Sequence, residues 1–491
     1  MGIRKMNRLF QRDRDSPFVT FTTAEQSAIV VFIFTVAVAV GAVTFFGGAS
    51  GLTVVYGPFL LYLAALTLPF IMPWFRPGLF HPLVFYVIWR GLIGLVTGKA
   101  ILAATGLPFH KALKGFSELE LNNLLAESYL LEAIALLSLY IGYLITPSKQ
   151  VRALPDPAPH FVRAKSIFWV AVSAIGFIAL CFYAGGVTEL LMQRGIERSE
   201  RIGASIGAHW HWIAGIGIVS VILWTAYDAK TSRKPIFWIT AILALFIKFA
   251  ASGSRSGVII PLIMVGSIWM LHRRKIPYKF ILIGVVMAIT TVGMLKNFRS
   301  ETQKNNELKE VSIAFAPTEW ISSTFGELGS RSGSNSGLLA VLGKVPEEVG
   351  YLYGESYLSL PYVFLPTAIF GEKPPAAGRL TAQRIYNRTN TAIPPGGIGE
   401  AYWNFSYLGV VLIYLLYGAF LRMITSVFHG NHHNPIFLVL YMYILLVFQP
   451  FTPSLYDFFQ GIIPAILIWV TFIMNPSWIA QKLTSGKMTR S

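Results

Sequence analysis

The chain has 491 residues, 54% of them hydrophobic and 13% charged, with a formal net charge of +17 and a single cysteine. Soluble domains carry about 25% charged residues, so a water-soluble globule is excluded, and the lone Cys181 rules out an internal disulfide and cysteine-based metal sites. Continuous apolar runs in place of short alternating strands exclude a transmembrane β-barrel, and the basic excess on so apolar a chain points to anionic lipid rather than nucleic acid.

Residues 1–23 form a basic head with Arg4, Lys5, Arg8, Arg12 and Arg14. The apolar run that begins at Ala24 is long enough to span, and reads as a retained signal anchor. Further runs predict spans near 52–72, 79–97, 128–146, 166–184, 206–226, 236–251, 257–271, 280–296, 406–421, 435–449 and 458–474. The expected fold is an all-α polytopic integral membrane protein with about twelve spanning helices; the runs at 236–251 and 257–271 are short, as tilted or partly re-entrant segments would be. Residues 24–296 would form an N-terminal bundle of about nine helices, and 399–491 a C-terminal bundle of about three with a cytoplasmic tail. Short loops on the N-terminal side are richer in Lys and Arg, including the run His272-Arg273-Arg274-Lys275. The positive-inside rule therefore places both termini in the cytoplasm. Residues 297–398 then form one large extracytoplasmic loop, long enough to carry short amphipathic helices of its own.

Ionisable groups inside spans are costly and are candidates for function. Arg90, Lys248 and Lys296 qualify; the competing reading is that each snorkels to an interface. The outer turn Ser252-Gly253-Ser254-Arg255-Ser256-Gly257 follows Lys248. Lys248, Ser252 and Arg255 would share one helical face if the helix continues. Two cations and a hydroxyl there suit a phosphate or pyrophosphate at headgroup level, with Arg the better bidentate partner. An ordinary hairpin with one Arg at the headgroups is the plain alternative. Arg299, Arg379, Arg384 and Arg388 add outer-side cations that favour an anionic substrate. His209 and His211 are weaker candidates for acid–base or substrate contacts. Further along, Ala392-Ile393-Pro394-Pro395-Gly396-Gly397-Ile398-Gly399-Glu400-Ala401-Tyr402-Trp403-Asn404-Phe405 delivers one carboxylate, Glu400, to the mouth of a span, followed by aromatics suited to stacking on sugars. Glu400 can serve as a general base, or simply as a helix-start carboxylate helped by the macrodipole. No metal-ligand motif and no nucleotide-binding loop is present in the sequence.

The segment 252–257 (SGSRSG) before a span, the long late loop, and the PPGGIGEAYWNFSYLG run entering a C-terminal span together resemble the O-antigen and exopolysaccharide repeat-unit polymerases of the Wzy family. Some members share an Arg-to-Gly spacing in outer loops, matched here by Arg255 with Gly266 and Arg388 with Gly399. The resemblance implies a multi-pass protein of the bacterial inner membrane with a GT-C-like glycosyltransferase architecture. It implies a metal-independent transferase without cofactors. Its substrate would be an oligosaccharide linked to undecaprenyl pyrophosphate, with the growing chain passed to a new lipid-linked repeat at the outer face. A chain-length regulator is an expected partner. On that reading Arg255 stabilises the leaving pyrophosphate with Lys248, Ser252, Arg90 and Arg299 nearby; Arg379, Arg384 and Arg388 hold the acceptor's pyrophosphate; Glu400 takes the acceptor's proton. An O-antigen ligase and a flippase for the same lipid are the alternatives.

Overall fold

The computed structural model describes residues 18–46, 53–72, 75, 78–88, 116–147, 161–186, 190, 210, 213–228, 230–252, 256–273, 334–364, 374–389 and 392–447. Regular structure among them is helical. In chain order the helices are α1 (Thr23–Phe46), α2 (Thr53–Ile71), α3 (Pro82–Val87), α4 (Glu118–Ile145), α5 (Val162–Ala184), α6 (Gly217–Tyr227), α7 (Pro235–Ser252), α8 (Ser256–Arg273), α9 (Ser334–Lys344), α10 (Ala377–Leu380), α11 (Gly396–Asn431) and α12 (Pro435–Val447). Five of these, α1, α2, α4, α5 and α11, are long and apolar enough to cross a membrane. The spans expected at 280–296 and 458–474 lie outside the described residues, as does the second half of the one at 79–97, from residue 89 on.

The boundaries differ from hydropathy where polar residues open a helix. α4 begins ten residues before the apolar run at 128, because Ser117 and Glu120 form a capping box. The Glu120 amide donates to Ser117 Oγ at 3.3 Å, and the Ser117 amide donates to the Glu120 carboxylate at 2.7 Å. The helix that contains the 406–421 run likewise starts at Gly396. It is broken at Phe405 (φ −143°, ψ 27°) and Ser406 (φ 56°, ψ −152°), which divides it into a short arm, 396–404, and a long stem, 407–431.

α4 and the stem of α11 run parallel and in close contact. Tyr407 donates to Glu127 Oε1 at 2.6 Å at one end of the pair, and Arg422 reaches the Tyr143 hydroxyl at the other. Between these points the helices touch backbone to backbone. A Cβ on Gly142 would collide with the Leu415 carbonyl, and one on Gly418 with the Leu139 carbonyl. Small residues permit this approach, which is how helices associate where lipid offers no hydrophobic drive. α2 flanks the pair, with Tyr140 donating to the Ala65 carbonyl at 3.2 Å and Phe59 edge-on to Tyr129. A second group comprises α5, α6, α7, α8 and α12. There Ser166 and Ser220 each donate to the other's carbonyl, at 3.0 and 3.2 Å.

Candidate functional site

The break in α11 builds the site. A helix leaves its last carbonyls without intrahelical partners. At the end of the arm these are taken by the turn that begins at Tyr351: the Leu352 amide donates to Trp403 O at 2.9 Å and the Tyr353 amide to Asn404 O at 3.2 Å. The turn needs a left-handed backbone at Tyr353 (φ 47°) and Gly354 (φ 95°), the second of which glycine adopts without a Cβ penalty. On the other side of the arm, α9 packs against it. Leu338 lies against Gly399, and Gly337 meets Pro394 so closely that a Cβ there would strike its carbonyl.

This assembly buries Glu400, which is 4% exposed. Its Oε1 accepts from Ser356 Oγ at 2.8 Å. Asn404 Nδ2 donates to Ser356 Oγ at 2.8 Å and to the Glu400 backbone carbonyl at 2.7 Å, while Asn404 Oδ1 accepts from the Gly354 amide at 2.8 Å. A hydroxyl has one proton. Because Ser356 Oγ accepts from Asn404, that proton is directed at the carboxylate. Glu400 is thus held by a chain from turn backbone through Asn404 and Ser356. Tyr357 stands beside it, and burial together with the Glu400 charge pushes its hydroxyl well above the usual phenol range.

Outside this buried network lies an aromatic surface. Tyr351 stands edge-on to Tyr353 and Tyr402, and Tyr402 edge-on to Tyr407, with centroids 5.5–6.3 Å apart. Tyr407 also holds the Glu127 carboxylate. Tyr402 is buried, Tyr351 partly so, and Tyr353 and Tyr407 are exposed in front of it; exposed rings beside a carboxylate suit the apolar faces and hydroxyls of a sugar. The neighbouring Glu355 pairs with Arg384 in a fork at 2.6 and 2.8 Å. Glu355 and Ser356 are consecutive, so the fork pins outwardly the turn that aims Ser356 inwardly.

Residues 99–477 match the family of the O-antigen polysaccharide polymerase Wzy. The chain belongs to that family. No curated protein and no solved structure matches it. As a Wzy-family chain it is a multi-pass membrane protein and an O-antigen repeat-unit polymerase in the broad sense, acting on lipid-linked oligosaccharide.

Within this Wzy chain the expected site residues fall into four groups. Glu400 is at the centre of the buried network. Arg379, Arg384 and Arg388 are exposed on or just after the segment that begins with α10, and Arg384 is committed to Glu355. Lys248 is half-buried near the end of α7, whose last residue is Ser252. Arg90, Arg255, Arg299, His209 and His211 lie outside the described residues. Among the described residues, no group of three or more His, Cys, Asp and Glu side chains is placed to hold a metal ion. Sequence reasoning missed Ser356 and Asn404. It also missed Glu132, a carboxylate 3% exposed inside α4, although the test for ionisable residues in spans applies to it as it does to Arg90 and Lys248.

Proposed function

We propose that this Wzy-family protein elongates glycan by transferring the growing chain from undecaprenyl pyrophosphate to the terminal sugar of a new lipid-linked repeat, at the outer face of the bacterial inner membrane. The observation that carries this reading is the buried Glu400, oriented by Ser356 and Asn404 close to a tyrosine cluster whose Tyr353 and Tyr407 are exposed. The acceptor hydroxyl oxygen bonds to the donor's anomeric carbon, and the bond from that carbon to the pyrophosphate oxygen breaks. Glu400 takes the hydroxyl proton, as a carboxylate within hydrogen-bond reach of a bound acceptor can. Tyr351, Tyr353, Tyr402 and Tyr407 support the sugars.

The leaving pyrophosphate gains negative charge, which fixed cations stabilise. Arg255 serves this role, with Lys248, Ser252, Arg90 and Arg299 contributing. Arg379 and Arg388, with Arg384 bound to Glu355, face the acceptor's pyrophosphate. The activated lipid supplies the driving force, so no nucleotide or metal is required. The full fold on this reading has about twelve spans in a GT-C-like arrangement with both termini cytoplasmic, and a chain-length regulator sets product size.

The test is polysaccharide analysis in a deletion strain. Wild-type complementation is expected to restore a long ladder, and Glu400→Gln to leave single-repeat products at equal protein abundance. Lipid-linked polymer that accumulates without attachment in the deletion strain would instead mark a ligase. Repeat units stranded on the cytoplasmic leaflet would mark a flippase.

A further inference from the structure

A second carboxylate meets the tyrosine cluster from the α4 side. Glu127 is the residue of α4 that precedes the apolar run starting at 128, so it stands where the helix changes from mixed to apolar. It is partly exposed. Tyr407 donates to its Oε1 at 2.6 Å. Tyr402 also sits in the electrostatic field of Glu127, and Tyr351 lies within the same reach of Tyr402 and Tyr407. Phenol groups from the turn, the arm and the stem of α11 are thus gathered at one carboxylate of α4. Tyr402 is buried, whereas Tyr353 and Tyr407 are 77% and 38% exposed.

The Tyr407 hydroxyl occupies one acceptor position of a group with several. Among the described residues no cation pairs with Glu127, and no second side chain donates to it. Arg384, which reaches the neighbouring turn at Glu355, is committed there. A ligand that covers this carboxylate must replace the water it displaces with hydrogen-bond donors. Sugar hydroxyls are such donors, and the Tyr353 and Tyr407 rings offer apolar surface to the carbon face of a pyranose. The same uncompensated charge repels a second carboxylate, and repulsion of the wrong ligand is one route to specificity.

We propose that Glu127 is the specificity-determining residue of a sugar subsite on this cluster, and that the subsite takes a neutral pyranose and refuses uronic and other acidic sugars. Glu127 Oε2 accepts from the sugar hydroxyls, and Tyr407 fixes the carboxylate through Oε1. The inference rests on the reading of the tyrosines as a support for sugars, and is independent of Glu400 as the base.

The experiment reads binding without turnover, by isothermal titration of purified full-length protein in nanodiscs. One probe is the single-repeat oligosaccharide prepared by partial hydrolysis of the strain's own polysaccharide. The other is that oligosaccharide oxidised at its primary hydroxyls to carboxylates. Wild type is expected to bind the first at least about tenfold more tightly than the second. Glu127→Gln keeps an oxygen that accepts from Tyr407, so the melting temperature should hold, but it removes the charge. It should weaken the first probe about tenfold, the scale of a hydrogen bond to a charged acceptor, and abolish the preference between the two. Tyr407→Phe keeps the ring and releases the carboxylate. It should weaken the first probe severalfold with the preference retained, and it carries the test if Glu127→Gln does not fold. The proposal is overturned if wild type binds neither probe, as a mere interfacial belt of tyrosines would give, or binds both equally. It is overturned too if Glu127→Gln discriminates as wild type does. Elongation by Glu400→Gln with the binding results intact would defeat the catalytic reading alone. Wild-type binding and discrimination by Glu127→Gln, with Glu400→Gln inactive, would defeat this inference alone.

Discussion

Replacing Ser356 with Ala removes the one hydroxyl that joins Glu400 Oε1 to Asn404 Nδ2, at 2.8 Å on each side. The fold around it is otherwise kept, because the turn is still tied to the arm by the Leu352, Tyr353 and Gly354 amides. A hydrogen bond to a charged group contributes about 1.5–3 kcal/mol. If all of it serves to orient the carboxylate in the transition state, the rate falls about 10- to 150-fold, at 1.36 kcal/mol per decade. The assay is elongation of lipid-linked repeat units by purified protein, with Ser356→Ala, Glu400→Gln and the double variant run together. A residue that acts only through Glu400 adds nothing once Glu400 is replaced, so the double variant should match Glu400→Gln alone. Wild-type elongation by Ser356→Ala would refute the network argument. An additive loss in the double variant would show that Ser356 acts independently of Glu400.

Other outcomes follow from the same geometry. Gly418→Ala sets a Cβ against the Leu139 carbonyl, and overpacking of this kind costs about 1–3 kcal/mol; the melting temperature and membrane abundance should both drop, and Gly418→Leu should fail to accumulate. Arg384→Ala opens a fork whose partners are 42% and 36% exposed, so the direct cost is at most about 1 kcal/mol; a modest loss of elongation is expected, restored by the charge swap Arg384→Glu with Glu355→Arg. The Tyr357 hydroxyl is held above the normal phenol range by burial and by Glu400. Its neutral form is favoured in the folded state, so its contribution is constant below about pH 10 and is lost as the pH rises through the raised value. Alkaline unfolding of Tyr357→Phe should therefore begin at higher pH than that of wild type, and an unchanged onset would count against the burial argument.

Apolar runs made most of the helix bundle legible. They located α1, α2, α5, α7, α8 and α12 to within a few residues. They did not reveal where α4 and α11 begin, since hydropathy discounts polar first turns. The Ser117–Glu120 capping box was readable as a sequence pattern, and the Pro-Pro-Gly-Gly stretch hinted at the start of the arm. The break at Phe405–Ser406 was not readable, because neither residue is an intrinsic helix breaker; the Leu352–Gly354 turn stabilises it from half a hundred residues away. The same distance explains the partial reading of the site. Asn404 lies one helical turn after Glu400, a spacing at which side chains meet, and could have been found. Ser356 is joined to Glu400 only by the fold. Glu127 escaped notice because the expected span began at 128, one residue after it.

The central claim is that a carboxylate held in the Ser356–Asn404 network carries glycan transfer. It is tested most directly by supplying lipid-linked repeat units to purified wild-type and Glu400→Gln protein in nanodiscs, and following both product length and released lipid pyrophosphate. The account predicts a ladder with matching release for wild type, and neither for Glu400→Gln at an unchanged melting temperature. Elongation by Glu400→Gln at the wild-type rate would contradict it.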